Sequence, residues 1–492
     1  MPRQYYLESV LLPQGWTHGA SITVADDGFI SSIDASADSE KIPGSPTLPR
    51  PPLESERIAG IIVPGMPNAH SHAFQRGMVG NAEYRLSASD SFWTWRQTMY
   101  ALANRIEPDD LQILATQLFI EMLKAGYTSV AEFHYLHRQS NGDGYAGINA
   151  LWEAISHAAD TAGIALTFLP TLYQTSEFGA QPLKREQARF AMETQQFLRA
   201  VEDRIGAERR TSGSTTPTVP STLGIAPGMR RTGAAFHSLR AVPLPTLREA
   251  TQALRSMDPA LPLHIHVAEQ VKEIEACKLH TGRRPIELLL DSELLDSHWC
   301  LVHATHATTA EMKGIAAANA TVCVSISTEA NLGDGFFDAN RFLKLGGRVC
   351  VGSDSQATVC PAEELRWMEY QQRLRNRRRG MLTNKLQSHV GTHLWCEAAK
   401  HGGQAIGQPA GVIAVGQRAD WLALDAEHPS MVGAPLENAI DHLVFAGGHA
   451  AIRDVMVAGR WVVKDHRHSA ELPLRGRFSE LMSRLAAHRP NT

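Results

Sequence analysis

The chain of 492 residues exceeds one ordinary core, which implies one large domain with a smaller partner, or two domains. With 43% hydrophobic and 20% charged residues it reads as an ordinary soluble globular protein. A formal net charge of -4 excludes the positive field that gathers nucleic acid or an anionic membrane surface.

The N-terminal Met1–Tyr6 lacks an apolar signal core, and no apolar run is long enough to span a bilayer, so a cytoplasmic location is expected. Residues 5–35 alternate short apolar runs with turns such as Asp26-Asp27-Gly28, the pattern of small antiparallel strands. A Pro/Ser-rich connector, Ile42 to Pro52, reads as an exposed loop. The apolar run Ile61-Ile62-Val63 then leads into Pro64-Gly65-Met66-Pro67-Asn68-Ala69-His70-Ser71-His72. On a strand, side chains alternate between faces, so His70 and His72 point the same way and supply half of a zinc site. A His-x-His pair also arises by chance in a chain with 22 histidines.

The middle of the chain alternates strand-like and helical patterns. Strand ends are expected near His72, His134, Leu172, Pro227, Glu269, His306, Asn331 and Asp354, with helices such as Asp109–Ala125, Gly147–Ala162 and Pro285–Leu295 between them. Arg209 to Pro220 is Thr/Ser/Pro-rich and reads as mobile. Eight strand–helix units fit an α/β fold of the (β/α)8 barrel type, which takes about 250 residues before insertions and collects its catalytic groups at strand carboxyl ends. A doubly wound sheet is the alternative, but no Gly-x-Gly-x-x-Gly turn follows an early strand. The basic run Arg373–Arg379 reads as a solvated surface, with anion binding as the lesser alternative. The tail returns to strand pattern, so both termini are expected to build one small β-sandwich. The division expected is 1–63 and 401–468 for the sandwich, 64–400 for the barrel and 469–492 for a helical tail. The six cysteines (Cys277, Cys300, Cys323, Cys350, Cys360, Cys396) lack Cys-x-x-Cys spacing and read as buried free thiols.

At the expected strand ends stand His70 and His72, then His264 and His266 on one face, Glu269, His303, and Asp354 after Val349-Cys350-Val351. His264 and His306 read as structural, and Asp354 alone reads equally as a helix cap. Together, His70, His72, His266 and Asp354 make a zinc site with an open position. A water held there has its pKa lowered toward about 7.

With these residues in view, Val63–His72, the two histidine strands, Gly352-Ser353-Asp354 and the terminal Gly411–Asp420 segment resemble the amidohydrolase superfamily over nearly the whole chain. The resemblance implies a metal-dependent hydrolase or deaminase barrel. Binuclear members place a lysine, Glu or Cys at the end of strand four. No lysine occurs between Lys184 and Lys272, and Leu223–Pro227 offers no acid or thiol, so one Zn2+ is expected, with iron or another divalent ion as the alternative.

More specific segments surround the ligands: His70–Arg76, Ser91–Arg96, Glu132–Tyr135, His237–Val242 and Thr328–Gly335. They resemble the branch of the superfamily that deiminates N-formimino-L-glutamate in histidine degradation. That resemblance implies a small-molecule substrate, no nucleic-acid or membrane partner, and a homodimer. A substrate with two carboxylates needs cationic clamps, and arginine forks suit them. The resemblance selects Arg96 and Arg240, with Gln75, Tyr135 and His237 as hydrogen-bonding partners. It also implies Asp354 as acceptor of the water proton, Glu269 as proton shuttle and His303 as the group beside the attacking oxygen. Three departures stand out: the joint Gly228–Phe236 ahead of His237, Gln356 where a histidine is expected, and Ser325-Ile326-Ser327 ahead of Thr328-Glu329-Ala330. The competing readings are a deaminase of guanine, another aminated heterocycle or a guanidino acid, and a non-catalytic scaffold that has lost its metal.

Overall fold

The computed structural model describes residues 2–35, 55–81, 83, 92–145, 150–212 and 228–486. Strands β1 (Arg3–Leu12), β2 (Gly15–Val24) and β3 (Ile30–Asp34) form an antiparallel meander, and β4 (Glu56–Pro64) joins the free side of β1 in parallel. Ile62 and Val63 on β4 are fully buried in this sheet. The apolar run ahead of the histidines therefore belongs to the terminal sheet and not to the first barrel strand. The chain changes sheets at Gly65, where a Cβ would lie 2.3 Å from Thr128 Cγ2, so only glycine lets it pass.

The barrel follows as β5 (Met66–Ser71), β6 (Tyr127–His134), β7 (Ala165–Leu172), β8 (Arg230–Thr232), β9 (Ala234–Phe236), β10 (Leu263–Val267), β11 (Trp299–His303), β12 (Thr321–Val324) and β13 (Arg348–Val351). All pair in parallel, and β8 and β9 make one stave against β7, broken at Gly233. Every residue of β5, β6 and β7 is buried, as expected for strands covered on both faces. Backbone bonds from Asp354 N to His70 O (3.0 Å) and from His72 N to Asp354 O (3.1 Å) bring the last stave beside the first. Gly352 permits that approach, since a Cβ there would sit 2.7 Å from His70 Cβ.

Helices cover the staves. Pro108–Ala125 starts at a capping box, with Asp110 accepting from Glu107 N (3.2 Å), and stops at Gly126 in a left-handed conformation. Val390–Ala405 packs on β5 and β13, and its Trp395 donates to Pro64 O (3.0 Å). Residue 400 lies inside that helix. Strands β14 (Trp421–Leu424), β15 (Ile452–Val457), β16 (Arg460–Lys464) and β17 (Arg467–His468) then complete the terminal sheet, β14 pairing antiparallel with β4. Both ends of the chain thus meet in one eight-stranded sheet with its own core of Tyr5, Ile22, Trp421 and Met456. A helix, Glu471–Ala486, follows.

Several sequence expectations need correction. Strand four ends at Phe236, not Pro227; Leu223–Pro227 lies outside the described residues, and the supposed joint Gly228–Phe236 contains the strand itself. Strand six stops at His303 rather than near His306, because His303 and Ala304 take left-handed angles. Strand seven ends at Val324, and Ile326–Leu332 is a helix that carries Glu329 and Asn331. Arg209–Ser212 continues the helix from Thr194, so only the later part of the soft stretch, from 213, lies outside the described residues. The helix expected to reach Leu295 ends at Asp291. The connector 42–52 also lies outside the described residues. No helix among those residues is long and apolar enough to cross a membrane.

Candidate active site

The carboxyl ends of β5, β10 and β13 converge on one point. His70 Nε2 lies 3.1 Å from His72 Nε2 and 3.0 Å from His266 Nε2, and Asp354 Oδ1 lies 3.3 Å from His70 Nε2 and 3.4 Å from His72 Nε2. His72 Nδ1–H donates to Phe133 O and His266 Nδ1–H donates to His237 O, both at 2.8 Å. Those bonds fix the tautomers and leave both Nε2 lone pairs facing His70. Three imidazole nitrogens drawn this close could hold a cation, and the backbone carbonyls behind His72 and His266 are the usual support of such ligands. The residues present therefore fit a divalent ion. Burial disfavours protonation of all three imidazoles, taking His72 down to about 3, and each opposes charge on its neighbours. Burial opposes ionisation of Asp354, yet the hydrogen bond and charge of His70, with His303 behind them, hold it below the usual carboxylate range.

Left-handed angles at Ala268 (52°), His303 (70°) and Asp354 (46°) turn the chain sharply where these groups emerge, backbone strain of the kind kept at functional sites. His303 Nε2 stands 3.7 Å from Glu269 Oε1 and 3.8 Å from Asp354 Oδ2. Burial pushes the Glu269 carboxyl up to about 7 against the opposing charge of His303. For His303 burial works against protonation, but Glu269, the hydrogen bond to Glu329 and Asp354 lift the imidazole to about 10.

A cavity partly open to solvent holds the remaining expected residues. Gln75, Arg96, Tyr135, His237 and Arg240 line it together with His72, His266, Glu269, His303 and Asp354; His70 lies beneath, fully buried. Gln75 Nε2 donates to Tyr135 Oη (3.0 Å). His237 follows directly on β9, and burial with the charge of Arg240 keeps it neutral. Arg96 extends from the helix Phe92–Ala103 over the Tyr100 ring, 5.5 Å from its centroid, with Nη2 3.9 Å from Glu177 Oε1. Arg240 is buried and its Nη1 has no hydrogen-bond partner among the described residues. A buried guanidinium nitrogen left open in a cavity asks for an anion.

A model of the amidohydrolase family matches residues 61–462. The chain belongs to the amidohydrolase family. Among family relatives, the formimidoylglutamate deiminase of Pseudomonas aeruginosa is 44% identical over 468 residues, 95% of this chain and 96% of that protein. A 5-methylthioadenosine/S-adenosylhomocysteine deaminase of Desulfovibrio desulfuricans is 25% identical over 415 residues, 82% of this chain and 80% of that protein. Among solved structures, an amidohydrolase from Brucella melitensis superposes with a TM-score of 0.86 at 36% identity, covering 98% of this chain and 100% of that one. The zinc complex of atrazine chlorohydrolase from Arthrobacter aurescens shares the fold (TM-score 0.77, 18% identity, covering 97% and 99%).

Four amidohydrolase-fold residues around the cluster were not singled out in the sequence. Glu329, fully buried, sits 3.3 Å from His303 Nδ1. Glu273 accepts from the backbone N–H groups of Ala268 (3.2 Å) and Glu269 (3.0 Å), holding the turn that presents Glu269. Glu132 accepts from Ser71 Oγ (2.8 Å) and Ala73 N (2.7 Å) on either side of His72. Asn68 donates to Ser353 Oγ (2.7 Å), tying β5 to the turn before Asp354. Both Glu132 and Glu329 lie within the quoted segments, yet nothing local in the sequence says what they hold. Gln356 donates to Ser71 Oγ (3.1 Å) and to Asp354 O (2.7 Å) and does not line the cavity.

Proposed function

We propose that the chain is a divalent-metal-dependent deiminase, with zinc as the expected ion. It converts N-formimino-L-glutamate and water into N-formyl-L-glutamate and ammonia, as a step of histidine degradation, and acts as a homodimer. The observation that carries this reading is one cavity shared by the imidazole–carboxylate cluster and two arginines, Arg96 and Arg240. The 44% identity to a protein named for this substrate supports it. A single-carbon amidine with two distant carboxylates needs both halves of such a cavity.

His70, His72, His266 and Asp354 would hold the ion. When bound, such an ion supplies Lewis acidity and lowers the pKa of water at the site toward about 7. The chain's own groups do the rest. Arg240, with its open Nη1, and Arg96 take the two carboxylates and set the formimino carbon over the cluster. Asp354, held ionised, accepts the proton that water gives up as its oxygen bonds to that carbon. Glu269, poised near 7, carries a proton to the substrate's terminal nitrogen, which leaves as neutral ammonia while the carbon–nitrogen bond breaks. His303, protonated at neutral pH, faces the new oxygen and offsets its growing negative charge.

An ammonia-release assay with metal-loaded enzyme tests the reading, with N-formimino-L-glutamate beside guanine and N-guanidino-L-glutamate. Release from the first compound alone is expected. Release only from guanine or N-guanidino-L-glutamate would replace the substrate assignment and leave the amidohydrolase fold standing.

A further inference from the structure

Within β11, β12 and β13, a few residues before His303 and Asp354, lies a group of soft side chains that the chemistry above does not use. Cys300 on β11, Cys323 on β12 and Cys350 on β13 are fully buried, and their Sγ atoms all lie within 4.8 Å of one another. Cys323 and Cys350 pair in register, and Cys323 pairs with Val302 two residues beyond Cys300, so all three side chains face the barrel interior in adjacent layers. With no side longer than 4.8 Å, the centre of the triangle lies at most about 2.8 Å from each corner of an equilateral arrangement, and at most a slight contraction reaches the Zn–S bond length of about 2.3 Å.

His264 on β10 pairs in register with Cys300 and stands beside its thiol. Its Nε2–H donates to Ala405 O (2.8 Å), while Nδ1 is buried without a hydrogen-bond partner among the described residues. Two hydroxyls, Tyr127 Oη and Thr321 Oγ1, are also buried without partners. Thr321 is in register with Cys300, and Tyr127 adjoins Cys323 and Cys350. They are idle donors against neutral thiols and useful ones against thiolates. Burial opposes ionisation of Cys300, but hydrogen bonds from the other two thiols and the charge of His264 hold it well below an ordinary thiol.

We propose that Cys300, Cys323 and Cys350 form a second metal site, three sulfur ligands for one soft divalent cation of the zinc and cadmium type. Binding releases two of the three thiol protons to solvent and leaves the third sulfur as a neutral thiol. Two positive charges on the ion then cancel two thiolates, which a dry core requires and a monovalent ion does not achieve. The site clamps β11, β12 and β13, two of which present His303 and Asp354.

The test uses the full chain produced in cadmium-supplemented medium and dialysed, read by metal analysis and by the ultraviolet thiolate-to-cadmium charge-transfer band. Two equivalents per chain and the band are expected for the wild type. Cys323→Ser and Cys350→Ala should each lose one equivalent and the band, while Cys277→Ser keeps both. His70→Asn should lose the other equivalent and keep the band. A wild-type chain with no such band overturns the site whatever the variants do, as does a band that survives in folded Cys323→Ser.

Discussion

His303 is gripped by acids on both ring nitrogens, Glu329 at Nδ1 and Glu269 near Nε2. The two acids differ in one respect that matters: Glu269 lines the cavity and Glu329 does not. A carboxyl held near 7 inside a cavity gives and takes protons at neutral pH, whereas a sequestered one can only orient its neighbour. Replacing Glu269 with Gln keeps shape and hydrogen bonding and removes the exchangeable proton. Activity should fall by about 10²–10⁴-fold, the usual share of a general acid–base group. Metal content, measured by elemental analysis, should match the wild type, because Glu269 is not among the clustered imidazoles. Turnover close to wild type would remove Glu269 from the proposed mechanism.

Elements reach the site across a boundary that one buried ion pair holds shut. Arg418 gives Nε and Nη2 to the Asp420 carboxylate at 2.6–3.0 Å, and Nη1 to Gly228 O at 3.0 Å, while Asp420 Oδ1 also accepts from Ala458 N at 2.9 Å. Both side chains are essentially excluded from solvent. The pair thus joins the lead into β14 to β15 and to the segment entering β8, the stave that continues to His237. Asp420→Asn leaves a buried guanidinium without its counter-charge and should cost about 3–5 kcal/mol, read as a lower urea midpoint. Metal content of the surviving folded fraction should be unchanged. A loss below 1 kcal/mol would mean that water reaches Arg418.

The same element scale explains what the sequence could and could not reveal. Long apolar staves such as β6 and β7 were placed to the residue at their carboxyl ends, because eight buried positions in a row leave a plain pattern. Staves of three to five residues gave weaker signals. At β12 the run Thr321–Val324 flows through Ser325 into a helix whose buried residues are Ile326, Ser327, Thr328 and Glu329, so no apolar periodicity marks the change. At strand four, Gly233 splits the stave into two pieces of three residues, too short to stand out against the apolar run Leu223–Pro227, which lies outside the described residues. The gathering of His70, His72, His266 and Asp354 was legible because the chemistry of a candidate metal site restricts residue type and spacing. Glu132, Glu273 and Glu329 were not, since an acid that holds a backbone N–H or an imidazole can come from any turn that passes nearby.

At the scale of the whole molecule, the barrel buries acids that fold more readily with their protons on. Glu364 lies on the helix Pro361–Asn376, fully buried, and accepts from Ser327 N (3.1 Å) and from the Ser327 hydroxyl. Burial raises its carboxyl from 4.5 to about 8 against those hydrogen bonds. Glu132 is lifted to about 8 in the same way. Between about pH 4.5 and 8 the folded chain holds a proton at such a group and the unfolded chain does not, so stability falls as pH rises through this window. The slope approaches about 1.4 kcal/mol per pH unit for each group and vanishes above its folded pKa. Glu364→Gln keeps an acceptor for Ser327 but carries no titrating proton. Urea midpoints measured at pH 6, 7 and 8 should therefore decline less steeply in this variant than in the wild type, the gap widening toward pH 8. Parallel declines would show that water or a rearranged Ser327 solvates Glu364 in the folded chain.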